Sequence, residues 1–189
     1  MVLAKRGDSR VNEVAQDLGV GSHVAVLSAA IARTTGPILE CGLGHWSTPL
    51  IHLMANGERH IISLETDVKW LEKFLHLERA WHQFRTIYGE NQKEQIQAWI
   101  EYAQALEDCV FANGVVFLDQ SPGEARVPMA MALKGKALYI ICHDTCADIP
   151  PGGGNYGWAQ LDGVFKYAVT YADLRPTTTV YSDEVEFAL

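Results

Sequence analysis

Four carboxyl groups and one imidazole stand where apolar runs give way to polar residues. Glu40 lies in Ile38-Leu39-Glu40-Cys41, Glu65 ends the run from Arg59, Asp119 ends Val115-Val116-Phe117-Leu118, and His143-Asp144 follows the run from Ala137 to Cys142. An imidazole titrates near neutrality, so His143 is a natural general base for drawing a proton from a hydroxyl. Asp119 and Asp144 are candidate ligands for a hard cation such as Mg2+, with water completing its shell, which would acidify the same hydroxyl directly. The first of these run ends opens a glycine-rich turn, Glu40-Cys41-Gly42-Leu43-Gly44-His45-Trp46-Ser47. Gly42 and Gly44 permit a tight bend and close approach of a ligand to the backbone, and Ser47 adds a hydroxyl at the start of a helix able to receive a carboxylate. Glu65 falls 21 positions beyond Gly44, where an acidic side chain takes both hydroxyls of a ribose. Glu90 and Asn91 follow the third strand, at a further run end. Each has a structural alternative: Asp residues cap the segments that follow strands, Asn91 caps a helix, Glu65 neighbours the cap Asp67, and His143 is a buried hydrogen-bonded residue.

These residues need a scaffold that brings run ends together. Short apolar runs alternate with helical spacing: strands over Ile38–Cys41, Arg59–Glu65, Phe84–Tyr88, Val115–Asp119 and Ala137–Cys142, and helices over Ser47–Ala55, from Asp67 with Trp70, Leu71, Phe74, Leu75 and Trp81 inward, over Gln92–Cys109 and over Ala125–Leu133. Such repeated strand-helix order predicts an α/β fold, doubly wound around a mainly parallel sheet with helices on both faces. Phe165–Thr170 and Thr177–Tyr181 add a C-terminal antiparallel hairpin, for seven strands in all. Two helices precede the sheet, Ser9–Leu18 and one capped by Ser22, so residues 1–35 are expected to cap the pocket of a Rossmann-like core at 36–189. Ligands of such sheets bind outside the carboxyl ends of the strands, where all the residues above fall.

Composition narrows the partners. The 189 residues carry 15 Lys+Arg against 23 Asp+Glu, a net charge of −8, with 48% hydrophobic residues and a pI near 5.3. That is one domain with a proper core and no basic footprint for nucleic acid. Neither a membrane-spanning run nor the apolar stretch of a signal peptide is present, so a cytoplasmic protein is expected. Four unpaired cysteines agree with reduced thiols, and the spacing Cys142-His143-x-x-Cys146 is not a zinc hook.

The run Ile38-Leu39-Glu40-Cys41-Gly42-Leu43-Gly44 resembles motif I of the class I S-adenosylmethionine-dependent methyltransferases, and Ser47-Thr48-Pro49 is similar to a branch in which Ser-Thr follows the glycines. With Glu65, Asp119 and His143-Asp144 at later strand ends and the terminal hairpin, the resemblance runs by element order from about Val24 to Tyr181. It implies S-adenosylmethionine as cofactor, held by Glu40, Gly42, Leu43, Gly44, His45, Trp46, Ser47, Glu65, Glu90, Asn91 and Asp119, with catalysis by His143, Asp119 and Asp144. Metal-dependent O-methyltransferases place acidic ligands at these strand ends, which implies Mg2+ on Asp119 and Asp144, although Asp144-Thr145 replaces the Asp-Asn of catechol-type members. The expected substrate is a small molecule bearing a hydroxyl, since neither an Asn/Asp-Pro-Pro-aromatic motif nor a Pro-Cys pair for nucleic-acid bases occurs. Arg126 would pair with an acidic group on it, and the loop from Pro150 to Trp158 would overhang the pocket with Tyr156 and Trp158 as walls. A nicotinamide-dependent oxidoreductase and a non-catalytic adenosine-binding scaffold stay open beside this reading, as does a homodimer.

Overall fold

The computed structural model describes residues 21–108, 110–146 and 156–189. The helix expected at Ser9–Leu18, with most of the loop from Pro150, lies outside them. The chain runs α1 (Val24–Ala32), β1 (Ile38–Cys41), α2 (Ser47–Ala55), β2 (Ile61–Glu65), α3 (Val68–Glu72), β3 (His82–Thr86), α4 (Gln92–Ala105), β4 (Phe111–Leu118), α5 (Arg126–Ala132), β5 (Ala137–His143), β6 (Tyr167–Tyr171) and β7 (Thr178–Ser182). The seven strands form one sheet in the order β3-β2-β1-β4-β5-β7-β6. The first five are parallel, and β7 inserts antiparallel between β5 and β6. The strand order reverses between β1 and β4, and sheets of this kind bind ligands outside the carboxyl ends of the strands at such a point.

Burial explains the sheet. Residues 38–41 of β1, 114–118 of β4 and 139–143 of β5 are buried on both faces, as central parallel strands must be when helices cover both sides. On one face α1 and α2 bring Leu27, Ile31 and Ile51 against Ile38, Val115 and Phe117. On the other, α4 and α5 bring Trp99, Ala103, Met129 and Leu133 against Leu39, Val116 and Ile140. Among the described residues no helix is long and apolar enough to cross a membrane. Cys41, Cys142 and Cys146 are free thiols, and all three are buried.

Local chemistry fixes the helix starts. Asp67 accepts the amides of Lys69 and Trp70, and Asn91 accepts that of Glu94, which satisfies otherwise orphaned first-turn donors. Three expectations change. The helix from Asp67 ends at Glu72 and leaves Leu75 exposed, because the chain must reverse at Arg79 and His82 to enter β3. The third strand thus begins at the fully buried His82, two residues before the Phe84–Tyr88 span expected for it. Ser22 is not a helix cap: α1 starts behind His23 with no side-chain cap, and the Ser22 hydroxyl bonds elsewhere.

Candidate active site

The turn after β1 is shaped by its neighbours in the protein. Gly42 has φ +86°, and a Cβ there would stand 2.6 Å from Asp119 O and the Gln120 backbone. Its lack of a side chain therefore lets the β1 turn press against the β4 turn, rather than admitting a ligand at that atom. Glu65, buried at the end of β2, tethers the same turn: Oε2 accepts Leu43 N–H at 3.1 Å, while Oε1 accepts the amides of Thr66 at 2.7 Å and Asp67 at 3.1 Å. Trp70 closes it from outside by donating Nε1–H to Leu43 O at 2.7 Å, with exposed His45 packed edge-on against the Trp70 ring. Trp46 is half-exposed at the start of α2 and lies against Gly21. Ser47 is buried; its hydroxyl lies near the Glu40 carboxyl and helps to lower it, yet closes no well-formed hydrogen bond among the described residues.

Glu40 sits beneath this turn, fully buried, with Oε1 accepting from Thr48 at 2.9 Å and Oε2 from Ser63 at 2.7 Å. Burial pushes its carboxyl up to about 7 against those hydrogen bonds. The Ser63 hydroxyl also meets His82 Nε2 at 2.9 Å, and His82 Nδ1 meets His52 Nδ1 at 2.9 Å, so a hydrogen-bonded chain leads from Glu40 to a partly exposed imidazole. Burial, with the neighbouring His52, lowers His82 to about 4.

At the ends of β4 and β5 the expected residues do meet. His143 is buried, with Nδ1 3.1 Å from Asp119 Oδ1 and Nε2 2.9 Å from Ser22 Oγ. Arg126 overturns its expected part: it is buried, and its guanidinium lies 3.0 Å from Asp119 and 2.8 Å from Asp144, donating also to the carbonyls of Asp119, Gln120 and His143. So committed, it is not presented to an acidic substrate. Burial alone would raise Asp119, but the His143 hydrogen bond and the charges of His143, Arg126 and His23 hold its carboxyl below the ordinary range. Mg2+ on Asp119 and Asp144 does not fit this arrangement. A guanidinium already joins the two carboxylates, so an ion bridging Asp119 and Asp144 would have to displace Arg126 from both at once.

Two flanking residues finish the wall. A Cβ on Gly123 would stand 2.2 Å from the Tyr156 ring, so that glycine lets Tyr156 settle beside Arg126, whose guanidinium is 4.9 Å from the ring centre. Trp158 donates Nε1–H to Asp144 O at 2.9 Å. Asn91 caps α4 and also donates to Glu94, at 2.8 Å, and Glu90 beside it is exposed. Ser22 and His23 are the members that sequence reasoning missed. A serine before a helix looks like a cap, and only the neighbouring histidine hinted at anything else.

No protein-family model matches the chain, and no curated protein matches it in sequence. Solved structures do. The chain is similar to a Klebsiella pneumoniae protein assigned as an O-methyltransferase, at 18% identity and TM-score 0.55, over 95% of this chain and 92% of that one. It is similar to a Geobacter sulfurreducens methyltransferase at 10% identity and TM-score 0.52, over 96% and 93%. Spermidine synthase from Thermotoga maritima aligns at 10% identity and TM-score 0.59, over 88% of this chain and 60% of its own length. With the sheet order and terminal hairpin above, these likenesses define the class: the chain has a class I methyltransferase fold. No oxidoreductase stands among these likenesses.

Proposed function

We propose that the protein is an S-adenosylmethionine-dependent methyltransferase acting on a hydroxyl of a small molecule. When bound, the cofactor supplies an electrophilic methyl on a sulfonium. The residues present suit it. The buried Ser47 hydroxyl and the first turn of α2 offer donors to its carboxylate. The Glu65 carboxylate stands at the β2 end with its three amides in place and retains acceptor capacity for ribose hydroxyls. Glu40 supports the turn from below, Gly44, His45 and Trp46 form its surface with the buried Leu43 anchoring it and its backbone tied to Glu65, and Glu90 and Asn91 flank the adenine end.

The observation that carries the acceptor half of the reading is the cluster of His143, Asp119, Asp144 and Arg126 at the ends of β4 and β5, directly against the Gly42 turn. Arg126 fixes both carboxylates, and Asp119 fixes the imidazole. Ser22 Oγ steadies the imidazole from its other edge at 2.9 Å, and an acceptor hydroxyl would lose its proton to this cluster. The formal charge of −8 points the substrate away from nucleic acid. Calorimetry tests the cofactor: S-adenosylmethionine is expected to bind and NAD not to, and the reverse result sinks the reading.

A further inference from the structure

His23 is the anomaly of the site. It is 2% exposed, yet among the described residues neither of its ring nitrogens has a hydrogen-bond partner. A buried polar group left so is costly and rare. The ring stands edge-on to His143, centroids 4.7 Å apart, and tilted on Phe117 at 4.9 Å. One donor atom each from His23, His143 and Asp119 all lie within 4.8 Å of one another.

The neighbouring hydrogen bonds say what the cluster lacks. Ser22 has one proton, and its 2.6 Å contact with Pro176 O requires that proton, because a carbonyl only accepts. Ser22 must then accept from His143 Nε2–H at 2.9 Å. In a neutral ring that leaves the Nδ1 lone pair facing the Asp119 carboxylate at 3.1 Å, a repulsive pairing unless a positive centre lies between them. A second proton on the ring supplies one. It leaves His23 unexplained. A cation supplies the positive centre and also gives His23 a partner.

We propose that His23, His143 and Asp119 form a binding site for one divalent transition metal of the zinc type, not for Mg2+. Two of the three donors are imidazoles, which suit zinc, cobalt or iron and not the oxygen-seeking ions. Around zinc, donors bonded at about 2.0–2.1 Å stand roughly 3.3 Å apart; His143 and Asp119 already do at 3.1 Å, and separations of up to 4.8 Å need to close by about 1.5 Å at most. The relay from Nε2–H through Ser22 to Pro176 is the outer support that metal-bound histidines usually have. Three protein donors leave a position for water or an acceptor oxygen, which recasts His143 as a ligand rather than a base. The site stands independently of cofactor binding.

The test uses untagged full-length protein, stripped with chelator, and no S-adenosylmethionine. Calorimetric titration is expected to show one Zn2+ per chain and no Mg2+, and Co2+ to give the visible absorption of a nitrogen-ligated, low-coordinate ion. His23→Gln should weaken Zn2+ binding at least tenfold, while His52→Gln, which alters the separate His52–His82 pair, should leave it unchanged. Circular dichroism checks the fold of each variant. If His23→Gln does not fold, the wild-type Co2+ spectrum decides, and the pale spectrum of the hydrated ion overturns the proposal. So does unchanged Zn2+ affinity in folded His23→Gln, or equal binding of Mg2+.

Discussion

Replacing Glu40 by Gln keeps the size of a fully buried side chain and removes its ability to ionise. The folded carboxyl releases its proton at about pH 7, against 4.5 ordinarily, mainly because burial penalises its charge. Between those values the native state binds more protons than the unfolded chain, so stability falls as pH rises, and the loss is complete above about 7. From pH 5 to pH 8 that amounts to about 2–3 kcal/mol. The glutamine variant carries none of it. Ser63 can serve either state, because its single proton goes to Glu40 when that group is charged and to His82 Nε2 when it is not. Other groups titrate nearby in the opposite sense: His23 and His82, each lowered to about 4, destabilise the fold as pH falls from 6.5 towards 4. Taking the difference between variant and wild type cancels them. Urea unfolding of both proteins at pH 5 and pH 8 is the assay, and the stability of Glu40→Gln relative to wild type should improve by about 2–3 kcal/mol over that interval. A difference independent of pH would refute the reasoning.

Glu65→Ala frees three backbone amides of the β2 end and the β1 turn, and should weaken S-adenosylmethionine about 10- to 100-fold in calorimetry. Ser47→Ala removes a hydroxyl that closes no well-formed hydrogen bond among the described residues; the melting temperature should hold while cofactor affinity drops about fivefold. Arg126→Met strands Asp119 and Asp144 and should cost about 3–5 kcal/mol in chemical unfolding, so a variant as stable as wild type would dismiss the pairing. His143→Ala should lower turnover of an accepted substrate by about 100-fold or more with cofactor affinity within about twofold, since its contacts lie on the β4–β5 side.

The central strands were legible because burial on two faces writes itself as unbroken apolar runs, as in Val115–Leu118 and Tyr139–Cys142. Asp67 and Asn91 were legible as caps because a cap is a local bond, two or three residues long. The edge strand β3 was misplaced by two residues, since His82-Gln83-Phe84-Arg85-Thr86 is largely polar and announces itself only by pairing with β2. Ser22 and Arg126 escaped for a different reason. Local rules make a serine before a helix a cap and an arginine at a helix start a free charge open to a ligand. Their partners are distant in sequence, His143 being 121 positions from Ser22 and Pro176 154. Only the closed fold supplies them.

That closure also changes what the four strand-end carboxyls mean. Read from sequence, they look like a pool of negative charge awaiting a sulfonium, a ribose or a cation. In the structure Glu40 is held neutral to about pH 7 by burial, Glu65 is matched by three amides, and Asp119 and Asp144 share one guanidinium. The charge of Asp119 adds to the pressure that keeps Glu40 protonated, so the two neighbouring carboxyls do not ionise independently. The excess of acidic residues therefore lies mostly on the exposed surface. What the site offers a ligand is oriented hydrogen-bonding groups, the Ser47 hydroxyl and the His23 ring among them, and such groups bind by fit and pairing where a bare charge would bind any counterion.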